Sequence, residues 1–313
     1  MILGALGLGA ANLGNLYRPM EDSVAAGIVD AAWNEGIRYF DTAPHYGLGL
    51  SEQRLGAALA GRDRDSYLIS TKAGRMLVPD ATAGSDLENG FAVTAPLRRE
   101  YDFSYDGIRR GLEQSLSRLG LDRVDALYLH DPEVRDLESA LATGLPALER
   151  LRDEGVIRAG GVGSKSLQAL SLAVERGNPD IIMIAGRYTL LEQPALAELL
   201  PACESRGVTV IDVAVYNSGL LARAIPSANS HYEYGTVPTI LLERARELAA
   251  VCREFETDLP TAAMQFPLRH SAVSTVVMGA SSAEQVRQNT QRMSAPIAEE
   301  FWAALTEKGL IPA

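Results

Sequence analysis

The sequence alternates between short apolar runs and longer amphipathic segments, and this alternation constrains the fold more than any other feature. Eight apolar runs are candidate strands, and a segment with helical spacing follows each of the first seven before the next run begins. This alternation predicts a parallel sheet covered by helices, and eight units predict closure into a (β/α)8 TIM barrel of the α/β class. The candidate strands lie near residues 2–10, 37–43, 66–74, 124–133, 157–164, 180–188, 208–219 and 274–282.

The chain is expected to form one barrel domain over residues 1–313, because no stretch of its composition is typical of a linker. An extra helix is predicted near the C-terminus, in "APIAEEFWAALTEKGL". Two long connections, residues 73–103 and 222–238, show no clear period. Both follow candidate strands, so we expect them at the carboxyl face of the barrel, as functional lids or as disordered segments.

The glycine-rich start, "GLGAAN", offers an alternative interpretation as a dinucleotide-binding fingerprint. That motif requires a helix that opens at once and an acidic residue about 20 residues later. Here "LGNLYRP" follows, and the next helical pattern begins only near Glu21. Glycines in a tight turn at the end of a strand are therefore the favoured interpretation.

The composition of the chain argues against several classes of binding partner. A formal net charge of -11 argues against a nucleic-acid binder and against an anionic membrane surface. Cys203 and Cys252 form neither a disulfide framework nor a metal motif, and the first residues lack the basic region of a signal peptide. The histidines at 45, 130, 231 and 270 show no paired ligand spacing, so no metal is expected. We expect a cytoplasmic protein, a monomer or small homo-oligomer, with a small-molecule substrate.

Four ionisable side chains lie at or just after the ends of three consecutive candidate strands. Asp41 ends the second strand, Tyr46 follows five residues later, Lys72 ends the third strand and His130 ends the fourth. Neighbouring strands are about 4.8 Å apart, so side chains of this length can meet at one face of the barrel. The pattern therefore predicts a shared site.

The chemistry of these residue types suits proton transfer. A lysine ammonium close to a tyrosine favours the phenolate and lowers the pKa of the phenol. An aspartate paired with the lysine holds it charged, and a histidine beside the phenol can orient a carbonyl oxygen. Such a set serves an alcohol or carbonyl substrate, with hydride carried by a cofactor. Structural roles remain open: a strand-fixing ion pair of Asp41 and Lys72, a rim aromatic at Tyr46 and a non-catalytic His130.

The stretch "FDTAPHYGLGLSEQRLG" resembles the "DTA..YG..E..LG" signature of the aldo-keto reductase superfamily, and the resemblance covers nearly the whole chain. "ISTK" and "DALYLHDP" are similar to the strands that carry the lysine and histidine of that family. The resemblance implies a (β/α)8 barrel with a nicotinamide cofactor. It also implies Tyr46 as general acid–base, Lys72 and Asp41 as the pair that tunes it, and His130 as the residue that orients the substrate.

The same resemblance implies a set of cofactor contacts. Tyr216 would stack on the nicotinamide ring, the residues after it would follow the pyrophosphate, and Ser164 would bind the carboxamide. The sixth strand departs from the family pattern, because "IAGRY" lacks the usual glutamine. The adenosine end is expected in "MGASSAEQVRQN", where the N–H groups of a helix start suit a phosphate. The implied cofactor-binding residues are Ser164, Tyr216, Asn217, Ser218, Gly219, Leu220, Gly279, Ala280, Ser281, Gln285, Gln288 and Asn289.

NAD is favoured over NADP at this segment. Relatives that prefer NADP carry Arg or Lys early in it, where a cation meets the 2′-phosphate. Ser281 and Gln285 occupy those places, and Arg287 comes later. A phosphate dianion without a cation partner binds poorly.

"PHYGLGLSE", "LHDPE" and "AGRYTLLEQPAL" resemble a narrower branch, the L-fucose or D-threo-aldose 1-dehydrogenases and the pyridoxal 4-dehydrogenases. This resemblance implies hydride transfer between C1 of an aldose and NAD(P). A sugar or a pyridoxal-like compound is the expected substrate, with Asn15, Tyr17 and His45 as candidate contacts. The alternatives are a general aldehyde or ketone reductase, a nicotinamide-nucleotide-sensing barrel without turnover, and a Schiff-base aldolase that uses Lys72.

Overall fold

The computed structural model of the protein describes residues 3–81, 84–94, 97–233 and 235–312. Within this part of the chain, eight parallel strands close into a barrel, in which each strand pairs with the next and the last pairs with the first. This confirms the predicted (β/α)8 architecture. The strands are β1 (Leu6–Gly9), β2 (Tyr39–Asp41), β3 (Leu68–Ala73), β4 (Ala126–His130), β5 (Ala159–Ser164), β6 (Ile181–Ala185), β7 (Thr209–Val213) and β8 (Val273–Gly279).

The helices pack outside the strands, and several begin at a Ser or Asp whose side chain accepts a backbone N–H of the first turn. These N-caps are Ser104, Asp136, Ser166, Asp258 and Ser282. The helices are α1 (Asp22–Asn34), α2 (Leu50–Leu59), α3 (Tyr105–Leu119), α4 (Leu137–Asp153), α5 (Leu167–Arg176), α6 (Leu199–Arg206), α7 (Thr239–Glu254), α8 (Leu259–Gln265), α9 (Ala283–Ser294) and α10 (Glu299–Glu307). No helix formed by the described residues is both long enough and apolar enough to span a membrane.

The predicted extra C-terminal helix is present as α10. Its Phe301 is fully buried and packs edge-on against Phe255, which follows α7, with ring centroids 5.9 Å apart. Arg244 of α7 donates a hydrogen bond to the carbonyl of Leu310, at 2.7 Å, just beyond α10. The apolar contact and the hydrogen bond together hold the end of the chain against α7.

The two-residue period of the strands arranges the barrel interior in layers. Tyr39 of β2 and Tyr128 of β4 point inward, with their hydroxyl oxygens 3.2 Å apart. Asp41 and His130 lie two residues further along the same strands, so they point to the same side, one layer closer to the carboxyl face. A packed aromatic layer thus forms the floor beneath the predicted site.

The long connection after β3 is more regular than the sequence suggested. Arg75–Pro79 and Leu97–Tyr101 pair as an antiparallel hairpin, and Leu87–Asn89 form a short 3-10 turn between them. Residues 82–83 and 95–96 of this connection lie outside the described residues. The hairpin was not predicted, because the sequence shows no clear period here and strand pairing across such a distance leaves little trace in local periodicity. We call residues 75–101 the hairpin segment.

The connection after β7 also contains local pairing. His231–Tyr232 and Gly235–Thr236 form a two-residue antiparallel ladder, and the Tyr232 hydroxyl donates to the Glu192 carboxylate. At the start of the chain, a 3-10 turn at Ala11–Gly14 follows β1, and helix α1 begins only at Asp22. No helix opens directly after the glycines of "GLGAAN", which disfavours the dinucleotide fingerprint, but Gly7 and Gly9 lie within β1, and the turn begins only at Ala11.

Candidate active site

Tyr46 is positioned by a close approach of two loops. The loop after β2 crosses the loop after β1 at Gly47 and Gly14, where a Cβ atom on Gly47 would lie 2.2 Å from the Gly14 carbonyl oxygen. Gly47 also has a φ of +62°, a backbone conformation that favours glycine. Only glycine permits this backbone contact, and the contact fixes the place of the neighbouring Tyr46.

Asp41 and Lys72 form a buried ion pair at the ends of β2 and β3. Lys72 Nζ lies 2.6 Å from Asp41 Oδ2 and donates a second hydrogen bond, of 2.9 Å, to the Thr42 carbonyl. The other carboxylate oxygen, Asp41 Oδ1, accepts a hydrogen bond of 2.7 Å from the Ser70 hydroxyl. Both side chains are almost completely buried, so this pair is held in one geometry and little screened by salt.

The structure brings all four predicted residues together. The Lys72 ammonium lies 4.8 Å from the centroid of the Tyr46 ring, and the His130 ring stands edge-on to Tyr46 with centroids 5.9 Å apart. Tyr46, Lys72 with its partner Asp41, and His130 therefore surround one small volume at the carboxyl face of the barrel. This geometry can serve proton transfer to or from one substrate oxygen.

The protonation states differ in one respect from the prediction. Burial raises the pKa of Tyr46 above its ordinary value, and the positive charge of Lys72 lowers it by less. The expected effect of lysine thus has the right sign but does not dominate. Burial also lowers the pKa of Lys72, but Asp41 and Tyr46 outweigh that effect and raise it above its ordinary value. A charged, paired lysine disfavours the Schiff-base alternative, which requires a neutral amine.

His130 is held neutral. Burial lowers its pKa well below the ordinary value, and the positive charges of Arg75 and Lys72 lower it further. Arg75, the first residue of the hairpin segment, donates to the His130 carbonyl at 3.2 Å and to Asp131 Oδ2 at 2.5 Å. A neutral imidazole beside Tyr46 can hydrogen-bond a substrate oxygen without adding charge to the site.

The predicted carboxamide residue, Ser164, has a partner that the sequence reasoning missed. Its hydroxyl donates to Glu133 Oε1 at 2.5 Å, while Glu133 Oε2 is buried without a hydrogen-bond partner among the described residues. Asp131, with a φ of 42°, opens the turn that brings Glu133 from the end of β4 to the end of β5. The Ser164 hydroxyl hydrogen is committed to Glu133, so Ser164 Oγ and Glu133 Oε2 both present acceptors, which suit the NH2 group of a primary amide.

The residues predicted along the pyrophosphate follow β7 as a tight turn. Tyr216 is half-buried, Ser218 is exposed, and both Asn217 and Ser218 have positive φ values, 46° and 57°. Asn217 is 5% exposed, and its Oδ1 has no hydrogen-bond partner within the described chain. A half-buried aromatic ring suits stacking on a flat ring, and the unsatisfied polar atom beside it suits the polar groups attached to such a ring. Gly219 is half-buried and Leu220 is fully buried.

The predicted adenosine segment lies at the start of α9. Ser282 caps the helix, while Gln285 Oε1 accepts hydrogen bonds from the backbone N and the hydroxyl of Ser281. Arg18, on the loop after β1, donates to the Ser281 hydroxyl at 3.3 Å. The sequence does not predict this cation, since Arg18 and Ser281 are 263 positions apart. The other predicted members are exposed Gly279 and Gln285, half-buried Gln288, and buried Ala280 and Asn289.

The three predicted substrate contacts have different environments. Asn15 uses both side-chain atoms to hold its own loop: its Oδ1 accepts from Met20 N and Arg54, and its Nδ2 donates to the Ala92 carbonyl. These contacts favour a structural role for Asn15. Tyr17 is 69% exposed at the rim. His45 lies inside the site, edge-on to His130 with ring centroids 5.4 Å apart.

Comparisons with known proteins point to one family. A family model described as the aldo/keto reductase family matches residues 5–309. A D-threo-aldose 1-dehydrogenase from Pseudomonas sp. is 50% identical, over 100% of this chain and 96% of its own. A pyridoxal 4-dehydrogenase from Microbacterium luteolum is 38% identical, over 98% of this chain and 94% of that protein. An aldo-keto reductase from Bacillus halodurans, solved in a holo form, superposes with a TM-score of 0.76 at 28% identity, over 98% of this chain and 95% of that one.

Proposed function

Because the chain belongs to the aldo/keto reductase family, we propose that it transfers a hydride between C1 of an aldose, of the L-fucose or D-threo-aldose type, and NAD(P). The observation that carries the proposal is the convergence of Tyr46, the Lys72–Asp41 pair and His130 around one volume at the mouth of the barrel. The 50% identity with a D-threo-aldose 1-dehydrogenase supports the choice of substrate class.

In the oxidising direction, Tyr46 acts as the base that accepts the proton of the C1 hydroxyl group. A nicotinamide held by the residues described above would supply the acceptor for the hydride that leaves C1. Lys72 stabilises the Tyr46 phenolate by its charge, and Asp41 keeps the ammonium in place. Neutral His130 orients the same substrate oxygen. A cyclic hemiacetal thereby loses one proton and one hydride and becomes a lactone, and the reverse reaction uses Tyr46 as the acid.

The residues present fit a nicotinamide dinucleotide. Glu133 Oε2 and Asn217 Oδ1 are buried acceptors without partners among the described residues, and an amide N–H of the cofactor can satisfy such atoms. We assign Ser164 and Glu133 to the carboxamide, Tyr216 to the ring face, and the start of α9 to the adenosine phosphate. Glu133 thus takes the place of the glutamine that the sixth strand lacks.

The experiment that tests the proposal is an absorbance assay of nicotinamide reduction at neutral and alkaline pH. NAD and NADP are offered separately against a panel of aldoses and against pyridoxal. We expect turnover with an aldose, with NAD giving the higher kcat/KM and NADP also accepted, because Arg18 near Ser281 is an exposed cation of modest effect. Turnover with pyridoxal alone would favour the pyridoxal 4-dehydrogenase activity named for the 38%-identical relative. Cofactor binding without any turnover would favour a nucleotide-sensing barrel.

Arg18 leads to a separate prediction about the cofactor. Replacing Arg18 with Ala should weaken NADP binding by roughly fivefold and leave NAD binding nearly unchanged, because the exposed guanidinium lies at Ser281, where the 2′-phosphate of NADP is expected. Fluorescence titration at low and high salt measures both dissociation constants, and the difference should shrink at high salt. Arg287→Ala is the matched control, since Arg287 pairs with Glu284. Equal weakening of both cofactors would contradict the assignment.

A further inference from the structure

His45 stands beside the proposed catalytic residues, and its ring is held by a buried chain of contacts from the hairpin segment. Arg99 Nε donates to His45 Nδ1 at 2.5 Å, and another nitrogen of Arg99 donates to the His45 carbonyl at 2.9 Å. Arg99 also makes two parallel hydrogen bonds, of 2.7 and 2.6 Å, to the Asp86 carboxylate. The side chains of Arg99 and Asp86 are 9% and 5% exposed, so these contacts are shielded from solvent.

This contact determines which nitrogen of His45 carries the proton. A guanidinium group has only donors, so Nδ1 must offer its lone pair to Arg99. The imidazole is then neutral, with its hydrogen on Nε2. Burial and the charge of Arg99 lower the pKa of His45 to about 2, which agrees with a neutral ring.

The Nε2–H group of His45 has no hydrogen-bond acceptor in the described part of the chain. The ring stands among the aromatic groups of the site, with centroids 5.4 Å from His130, 5.4 Å from Phe91 and 6.2 Å from Tyr46. His45 is only half-buried and this nitrogen is open to solvent, so a ligand that displaces the water there must offer an acceptor in its place. Tyr46 and His130 already account for the reacting oxygen, so the acceptor is a second oxygen of the substrate.

We infer that Arg99 and Asp86 are positioning residues that hold His45 as an Nε2–H donor toward a second substrate oxygen next to the reacting carbon. This inference rests on the proposed function and narrows its substrate class. Cyclic hemiacetals carry such an oxygen in the ring, and aldoses carry another on C2. Simple aldehydes and alcohols have neither, so the hairpin segment selects against them.

The test begins with Arg99→Ala, whose matched control is Arg98→Ala, because Arg98 is a half-exposed neighbour that pairs only with Glu100 among the described residues. Arg99→Ala should raise KM for an aldose roughly tenfold, with a smaller change for a simple aldehyde in the reducing direction. A 2-deoxy aldose separates the two acceptors, because it lacks the C2 hydroxyl. If Arg99→Ala still raises KM with this sugar, the acceptor is the ring oxygen. If the rise in KM disappears, the acceptor is the C2 hydroxyl. Equal effects on aldose and simple aldehyde would overturn the inference.

The pH dependence gives a readout that a purely structural role would not change. Without Arg99, His45 Nδ1 loses the donor that keeps it unprotonated, so the ring can carry its hydrogen on Nδ1, which leaves Nε2 as an acceptor at neutral pH. Loss of Arg99 removes one of the charges that lower the pKa of His45, while burial still lowers it, so acidification adds the second proton more readily than in the wild type and restores the Nε2–H donor. The KM ratio of variant to wild type should therefore fall as pH falls. The charged and titratable groups that face His45 are Arg99, Asp86, Arg75, Lys72, Tyr46 and His130.

Two further measurements keep the inference testable if Arg99→Ala does not fold. His45→Gln retains a side-chain N–H and should preserve most aldose binding, while His45→Leu should raise KM. The ¹⁵N resonances of His45, assigned by comparison with His45→Gln, report the tautomer without any turnover. An unprotonated Nδ1 across the neutral range supports the inference even if the proposed substrate is wrong, and a protonated Nδ1 in the wild type overturns it.

Discussion

Replacing Tyr46 with phenylalanine is expected to lower kcat by about 10²–10⁴-fold and to leave cofactor binding unchanged. The phenol is the group of the site that can both accept and return the substrate proton, with His130 neutral and Lys72 committed to Asp41. Phenylalanine keeps the ring contacts with His130 and Phe91 and removes only the hydroxyl. Steady-state kinetics with a sugar, and fluorescence titration with NAD, measure the two quantities separately.

The pH profile of the wild type strengthens this test. Burial raises the pKa of Tyr46, so the phenol is protonated at neutral pH and the phenolate fraction grows as pH increases. Oxidation of the sugar should therefore accelerate toward alkaline pH, while reduction, which uses the protonated phenol, should not. The residual activity of Tyr46→Phe should lack the alkaline rise. Wild-type turnover in the variant would show that another group moves the proton.

The barrel and the cluster at its mouth were predictable because they follow from local patterns. Asp41, Lys72 and His130 each end or nearly end an apolar run, and the carboxyl ends of consecutive parallel strands are neighbours. Glu133 was also within reach, since it stands in the quoted stretch "LHDPE" and meets Ser164 of the adjacent strand. The sequence shows Glu133 at this place, but it does not show that Glu133 contacts Ser164.

Other parts of the site depend on pairings that a single sequence does not reveal. Arg99 reaches His45 across 54 positions because the hairpin segment folds back over the barrel mouth, and Arg18 reaches Ser281 across 263. The pKa of Tyr46 was predicted from its charged neighbour alone. Its net direction depends on how deeply the ring is buried, which only the packed structure determines.

The buried pair of Asp41 and Lys72 allows a test that separates stability from catalysis. Lys72→Met should lower the free energy of unfolding by roughly 3–5 kcal/mol, because the Asp41 carboxylate would remain buried without its cation. Asp41→Asn should have a similar cost, since it leaves the Lys72 charge unpaired. Urea unfolding of each variant measures these differences, and its matched control is Arg98→Ala on the surface of the hairpin segment.

The double variant Asp41→Asn/Lys72→Met decides between a structural and a catalytic pair. It has no buried charge at either position, and the introduced asparagine can still accept the Ser70 hydrogen bond, so at least half of the lost stability should return. Turnover should nevertheless stay on the order of a hundredfold or more below wild type, because no cation faces the Tyr46 phenolate. Recovery of both stability and turnover would mean that the pair only joins β2 to β3. Recovery of stability alone, as we expect, would show that the Lys72 charge acts on the phenol.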